Sequence, residues 1–228
     1  RNEKESKSID LKPSLMFFIP FFDEIRLSLY NSLSSVFCEE NDLDFSEVKN
    51  VLTSIYSIEK DGYIDFLIEQ PPSPQLCISL VAFEFADKNS QLEKVTLTID
   101  ELLQHSNGDQ SPEFQSALLF GLSHCSCFFS VNGQLFSQII EYIFDSIASS
   151  ENIVAKEASF AFQRIVGQHP ELFKRDLQLY IECVIGQSEE LLLNLDPKVA
   201  KRFFKSCTRL ILQADEKEVV NMICHFFE

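Results

Sequence analysis

Apolar residues recur at spacings of three and four along most of this chain, and this spacing predicts amphipathic helices. The clearest series starts at residue 111, where each apolar stripe follows a polar residue suited to cap a helix. The predicted helices in this part open at Ser111-Pro112, Asn132, Ser150, His169-Pro170, Asp196-Pro197 and Asp215. Glycine occurs only 6 times in 228 residues, fewer than the turns of a β-protein of this size need. The pattern therefore predicts an all-α fold.

The part of the chain before residue 111 is less regular. Residues 1–13 are charged and predict a flexible lead-in. Residues 14–110 predict irregular HEAT-like helices, interrupted by a proline-rich break after which Ser73-Pro74 opens the next helix as N-cap and first position. A further helix is predicted over about 91–105.

The regular part groups into antiparallel helix pairs. First members of successive pairs start near residues 112, 151 and 197, so the steps are 39 and 46 residues. Periods of roughly 40–47 residues are typical of HEAT and armadillo arrays. We predict an α-α superhelix (a HEAT/armadillo-like solenoid) of about five helix pairs, with three regular pairs over 111–228 and one continuous solenoid overall. A plain helical bundle is the alternative.

Charge narrows the classes of partner. The formal net charge is −16, which repels nucleic acid phosphates and attracts basic protein surfaces. The same charge could simply keep the protein soluble. No run approaches the roughly 18 apolar residues of a membrane span, so no membrane contact is expected. The end at Glu228 reads as the inside of a helix, and we expect the chain to be a fragment of a longer protein.

The usual nucleotide-binding and catalytic motifs do not occur in the sequence. There is no Gly-rich phosphate loop, no HExxH pair and no nucleophile elbow. The run His124-Cys125-Ser126-Cys127 lacks the second ligand cluster that zinc sites usually have, and Cys125 falls on an apolar stripe, which favours core packing. The 7 cysteines are scattered and are typical of small buried hydrophobes in a reducing compartment. We predict no enzyme activity, catalytic residue, metal or cofactor.

One basic feature stands out against the acidic background. Five basic residues share one face of the helix that opens at Asp196-Pro197, at offsets of 0, 3, 4, 7 and 11. They are Lys198, Lys201, Arg202, Lys205 and Arg209. This stripe is a candidate surface for an acidic protein or a phosphate backbone. The alternative is a solvated face opposite the buried one, and no aromatic residue interleaves on the exposed side of the helix, as single-strand binding would require.

Three segments resemble the middle HEAT repeats of the karyopherin-β family, the importins and exportins. They are residues 117–122 (ALLFGL), 131–136 (VNGQLF) and 158–173 (ASFAFQRIVGQHPELF), and the start at 21–26 (FFDEIR) is similar to helix starts in these receptors. In the third segment a helix ends in a short turn with His-Pro, as in receptors of the transportin-SR and exportin type. The resemblance covers about half of the chain convincingly.

The resemblance implies a segment of a nuclear transport receptor that shuttles between nucleus and cytoplasm. Its partners would be a cargo protein or tRNA, nucleoporins, and Ran-GTP bound by parts of the receptor outside this sequence. Two alternatives stay open: a HEAT-repeat scaffold subunit of a non-transport complex, and a tRNA or RNA exportin that uses the basic stripe.

Overall fold

The computed structural model describes residues 62–85, 90–108, 111–125, 128–129, 132–173 and 196–212, together with 24, 26–28, 30 and 31. Within these ranges every regular element is helical and no strand occurs, so the predicted all-α class is confirmed. The α-helices after residue 61 are α1 Gly62–Ile68, α2 Pro74–Ser79, α3 Leu92–Gly108, α4 Pro112–His124, α5 Gly133–Ile147, α6 Asn152–Gln168 and α7 Pro197–Ile211. Short 3-10 helices cover Leu80–Phe85 and Pro170–Phe173.

Most helices begin where a side chain caps the free backbone N–H groups of the first turn. Ser73 Oγ accepts from Leu76 N at 3.2 Å, and Asn132 Oδ1 accepts from Leu135 N at 3.1 Å. Asp196 Oδ1 accepts from the backbone N of Lys198 at 2.8 Å. Such caps contribute about 1 kcal/mol each. The predicted helix starts at these three positions are confirmed.

One predicted cap is wrong. The N-cap of α6 is Glu151, one residue after Ser150, and it makes no side-chain capping bond. Ser149 Oγ instead accepts from the backbone N of Glu151 at 3.2 Å. A turn that precedes the helix therefore takes the place of a side-chain cap at the start of α6.

The helices form two layers in chain order. In the first layer α2 packs against α4, α4 against α6, and α6 against α7. In the second layer α3 contacts α1 and α5, while α5 also packs against α6. Each first-layer helix thus packs against the preceding and the following helix of its own layer, which is the arrangement of an α-α helical repeat. Each layer contains helices from before and after residue 110. The division of the chain into residues 14–110 and 111–228 stays a prediction.

Phenylalanine side chains join the last described helices. Phe162 of α6 is fully buried, and its ring centroid lies 5.2 Å from Phe144 of α5, 5.5 Å from Phe203 of α7 and 6.0 Å from Phe173. Aromatic pairs at these separations add to the free energy of burial. A single side chain thereby ties three helices and a 3-10 turn into one core.

Buried serines let the first-layer helices approach closely. Ser79, Ser116, Ser123 and Ser159 have no exposed surface, and each hydroxyl donates to a carbonyl of its own helix, as Ser159 Oγ does to Lys156 O at 2.7 Å. A small side chain whose hydroxyl is satisfied locally can face a neighbouring helix without an unpaired polar group.

The closest approach between two helices lies at Gly121. A Cβ atom added there would lie 1.9 Å from the carbonyl oxygen of Cys77 and 2.9 Å from its carbonyl carbon. Both atoms belong to the backbone of α2, so they cannot turn aside as a flexible side chain would. Glycine is needed here because α2 and α4 touch backbone to backbone.

We predict that Gly121→Ala destabilises the protein by about 1–3 kcal/mol, the usual cost of forcing an extra carbon into a packed core. Thermal or urea unfolding of the purified 228-residue chain measures this. The matched control is Gly133→Ala, because a Cβ at Gly133 meets nothing within 4 Å. The control should keep or slightly raise the stability, since alanine favours helix more than glycine does. An unchanged midpoint for Gly121→Ala would contradict the backbone contact.

Candidate interaction surface

The five predicted basic residues lie on α7, and the structure separates them into two groups. Val199, Phe203 and Leu210 are buried against α6 and hold the helix in place. Lys198, Lys201, Lys205 and Arg209 are exposed, and Arg202 is half-buried. No ion pair joins the three lysines to any residue in the described ranges.

Arg202 is fixed by two contacts with α6. Its Nη1 donates to Ser159 Oγ at 2.7 Å, and its guanidinium carbon lies 3.5 Å from the ring centroid of Phe160. A guanidinium at this distance over an aromatic face is held by a cation–π interaction of about 0.5–1 kcal/mol at partly exposed sites. The position of Arg202 is therefore set before any partner arrives.

Arg209 also reaches α6, at the end of that helix. Its Nη2 donates to the carbonyl oxygen of Gly167 at 3.3 Å. The carbonyls of the last helical turn lack partners within the helix, and a cation there is favoured by the helix dipole. Two of the five predicted residues thus join α7 to α6, and three lysines face water.

The helical wheel explains this division. At about 100° per residue, Arg202 and Arg209 lie between the lysines and the buried edge marked by Ser206. A long side chain at this boundary can lie across the neighbouring helix. All five residues lie on one side of the α7 helical wheel, and partner binding by this stripe stays a prediction.

The basic surface continues onto α6. Lys156 is exposed, and Phe160 keeps 36% of its surface exposed. Further along the same helix, Arg164 Nη1 donates to Ser123 Oγ of α4 at 2.7 Å and also contacts Nε2 of His124. The same kind of contact therefore occurs at two joints of the first layer. Arg164 of α6 donates to Ser123 of α4, and Arg202 of α7 donates to Ser159 of α6.

Glu157 is the carboxylate set among these cations. Burial raises the pKa of this carboxyl, and the charges of Arg164, Lys156 and Arg202 lower it by less. Burial also lowers the pKa values of Arg164 and Arg202, against the attraction of Glu157. Both guanidinium groups remain charged, because arginine does not lose its proton in proteins at ordinary pH.

The part of this surface that α6 supplies was not predicted from the sequence. The expectation that no aromatic residue accompanies the stripe concerned the exposed side of α7 alone, and the aromatic ring next to the stripe, Phe160, comes from the neighbouring helix α6. The sequence contains a signal for it, because α6 and α7 start 45 residues apart and this shift aligns Lys156, Phe160 and Arg164 with Lys201, Lys205 and Arg209. Equivalent positions on adjacent helices of a repeat array lie on one side of the layer.

A second charged region lies on the other layer. Between α3 and α5 an open groove of about 370 Å³ is lined by Asp100, Glu141 and Asp145 together with amide side chains and Tyr142. The Tyr142 hydroxyl is 2.7 Å from Ser106 Oγ, and burial raises its pKa to about 12. The groove is acidic and open to solvent.

The residues considered for metal binding are engaged elsewhere. Cys125 is fully buried and its thiol donates to Leu122 O at 3.5 Å, which confirms core packing for this residue. Ser126 and Cys127 lie outside the described residues. In the described part of the chain no three His, Cys, Asp or Glu side chains come together as metal ligands could.

The described cysteines behave as apolar core residues. Cys77, Cys125 and Cys207 are buried free thiols. Burial raises the pKa of the Cys207 thiol to about 12 and that of Cys77 further in the same direction. Such thiols are poor nucleophiles at neutral pH.

We predict that Glu157→Gln raises the unfolding temperature at pH 7. The raised folded-state pKa means that the folded protein holds this proton more tightly than the unfolded chain. Wild-type stability is therefore lost as pH rises from the unfolded pKa of about 4.3 through the folded value, and the glutamine variant avoids this loss.

Calorimetric unfolding at pH 4 and pH 7 provides the check. The advantage of Glu157→Gln should shrink at pH 4, where the wild-type carboxyl is largely protonated in both states. Glu141→Gln makes the same side-chain change at an exposed position of α5 and serves as the control, and a gain of equal size there would mean that the effect is not specific to Glu157. A glutamine variant that is less stable than wild type at pH 7 would mean that ion pairing outweighs burial at Glu157.

None of the helices in the described part of the chain is long and apolar enough to cross a membrane. No protein-family model, curated protein or solved structure matches this chain. The resemblance to nuclear transport receptors therefore depends on the sequence segments alone.

Proposed function

We propose that this chain is a protein-binding segment of a nuclear transport receptor. The observation that carries the proposal is the two-layer helical stack, in which α2, α4, α6 and α7 pack one against the next. Extended repeat surfaces bind macromolecules through many distributed contacts. Cargo would lie along exposed side chains of the second helices of the pairs, and the receptor would shuttle between nucleus and cytoplasm.

The segments that resemble karyopherins support the more specific part of the proposal. Residues 117–122 lie in α4 and residues 158–168 in α6, the two helices at the centre of the first layer. Ala117, Leu118, Leu119 and Leu122 are buried, so this segment contributes to stacking between pairs. Ran-GTP and nucleoporins are proposed as further partners of the whole receptor.

An RNA exportin has less support. A net charge of −16 opposes the approach of a long polyanion to the stripe.

The test is a pull-down with the longest natural form of the protein that contains these residues. We expect it to retain Ran loaded with a non-hydrolysable GTP analogue and to release Ran-GDP, because transport receptors distinguish the two states. Ran-GDP at the same concentration is the control. Failure to retain either form at micromolar concentration would overturn the receptor proposal and leave a HEAT scaffold of another complex.

A further inference from the structure

Basic and aromatic side chains from two adjacent helices form one surface, here called the α6–α7 face. It consists of Lys156 and Phe160 of α6 and Lys198, Lys201, Arg202 and Lys205 of α7. Five of its six members are cations, in a chain whose net charge is −16. Two carboxylates lie near it: Glu157, which is half-buried and attracted by Lys156, Arg164 and Arg202, and Asp196, which caps α7 next to Lys198. The face is therefore a local positive region on an acidic protein.

The dimensions of the face suit an extended peptide. Lys198 to Lys205 spans about 10 Å along α7 at 1.5 Å per residue, and packed helices lie about 8–10 Å apart. An extended chain advances about 3.3 Å per residue and alternates its side chains. A peptide of roughly three or four residues therefore covers the lysine row.

Part of the face is already ordered. Arg202 is held by Ser159 and by the Phe160 ring, so little side-chain entropy is lost when its outer N–H groups bind a carboxylate. Phe160, with 36% of its surface exposed, still offers apolar area beside the guanidinium. Charge and apolar surface thus lie next to each other.

We propose that the α6–α7 face binds an acidic segment of a partner protein. Acidic side chains of the segment that point toward the face pair with Lys198, Lys201, Lys205 and Arg202, with one carboxylate between neighbouring cations, and an apolar side chain that flanks them packs on Phe160. This inference names the kind of protein segment that the proposed binding array takes, and it rests on that function only in requiring a protein partner.

A polypeptide fits this face better than a nucleic acid does. Single-strand binding surfaces stack successive bases on several aromatic residues, and Phe160 is the one aromatic member of the face. A long polyanion would also meet the repulsion of the whole chain. A short acidic peptide feels mainly the nearby lysines, because charges beyond about 8 Å are screened at physiological salt.

The experiment is a fluorescence-anisotropy titration of the 228-residue chain. The probe is a labelled eight-residue peptide of Glu and Asp with a central Phe. A peptide of the same length with Gln and Asn in place of the acids is the first control, and single-stranded oligothymidine is the second. We expect binding of the acidic peptide at micromolar concentration and much weaker binding of both controls.

Variants assign the binding to the face. Lys201→Gln and Lys205→Gln should each lower the affinity for the acidic peptide by about 2–5-fold, in the range measured for exposed ion pairs. The double variant should lower it by more. Lys94→Gln is the matched control, because it removes the same charge from an exposed lysine of α3 whose contact is Asp65, and it should leave the affinity unchanged. Arg202→Lys keeps the charge but loses the planar stack on Phe160, and we expect it to weaken binding too. Unfolding curves establish that each variant is folded.

Three outcomes would overturn the inference: no binding of the acidic peptide, equal binding of the amide peptide, or equal loss in Lys94→Gln. Oligothymidine binding that depends on Lys201 and Lys205, without peptide binding, would overturn it in favour of a phosphate-binding face. Retention of Ran-GTP together with absence of peptide binding would leave the receptor proposal standing and reject this face. Binding of the peptide, together with failure to retain Ran-GTP, would support this face and reject the receptor proposal.

Discussion

Burial of apolar side chains between successive helices is the interaction on which this structure depends. Phe162 shows it most directly, because one ring contacts helices α5 and α7 and the turn at Phe173. Full burial of such a side chain contributes roughly 1.5–3 kcal/mol, and here that contribution requires several elements at once. Each helix is amphipathic by itself, but its apolar stripe leaves water only when the next helix is in place.

The same stacking creates the candidate surface. Arg202 and Arg209 cross from α7 to α6 because α7 packs at this distance and angle. Phe160 becomes part of a basic surface only through the helix that lies beside it. The side chains of the α6–α7 face therefore have two roles, since Arg202 both joins two helices and presents a guanidinium to solvent. The function proposed for the array depends on this coupling between packing and surface chemistry.

Helix starts were predicted well from the sequence, whereas side-chain contacts between different helices were not. The starts at Ser73, Asn132 and Asp196 follow from a capping side chain and residues within one turn of it. The start of α6 was placed one residue early because Ser149, a residue outside the helix, forms the turn. The contact of Arg202 with Phe160 joins residues 42 positions apart in the chain, and its geometry follows from the stacking register of two helices. No periodicity within α7 contains that information.

The contact of Gly121 with the Cys77 carbonyl has a mechanical consequence. Where helices meet through long side chains, rotamer changes allow one helix to slide or rotate over the other. At Gly121 the backbone of α4 touches the backbone of α2, and no rotamer exists that could absorb such a movement. The stiffness of the array is therefore uneven along its length. A change of curvature would be taken up at joints lined by side chains, such as that between α6 and α7, while α2 and α4 move as one rigid unit.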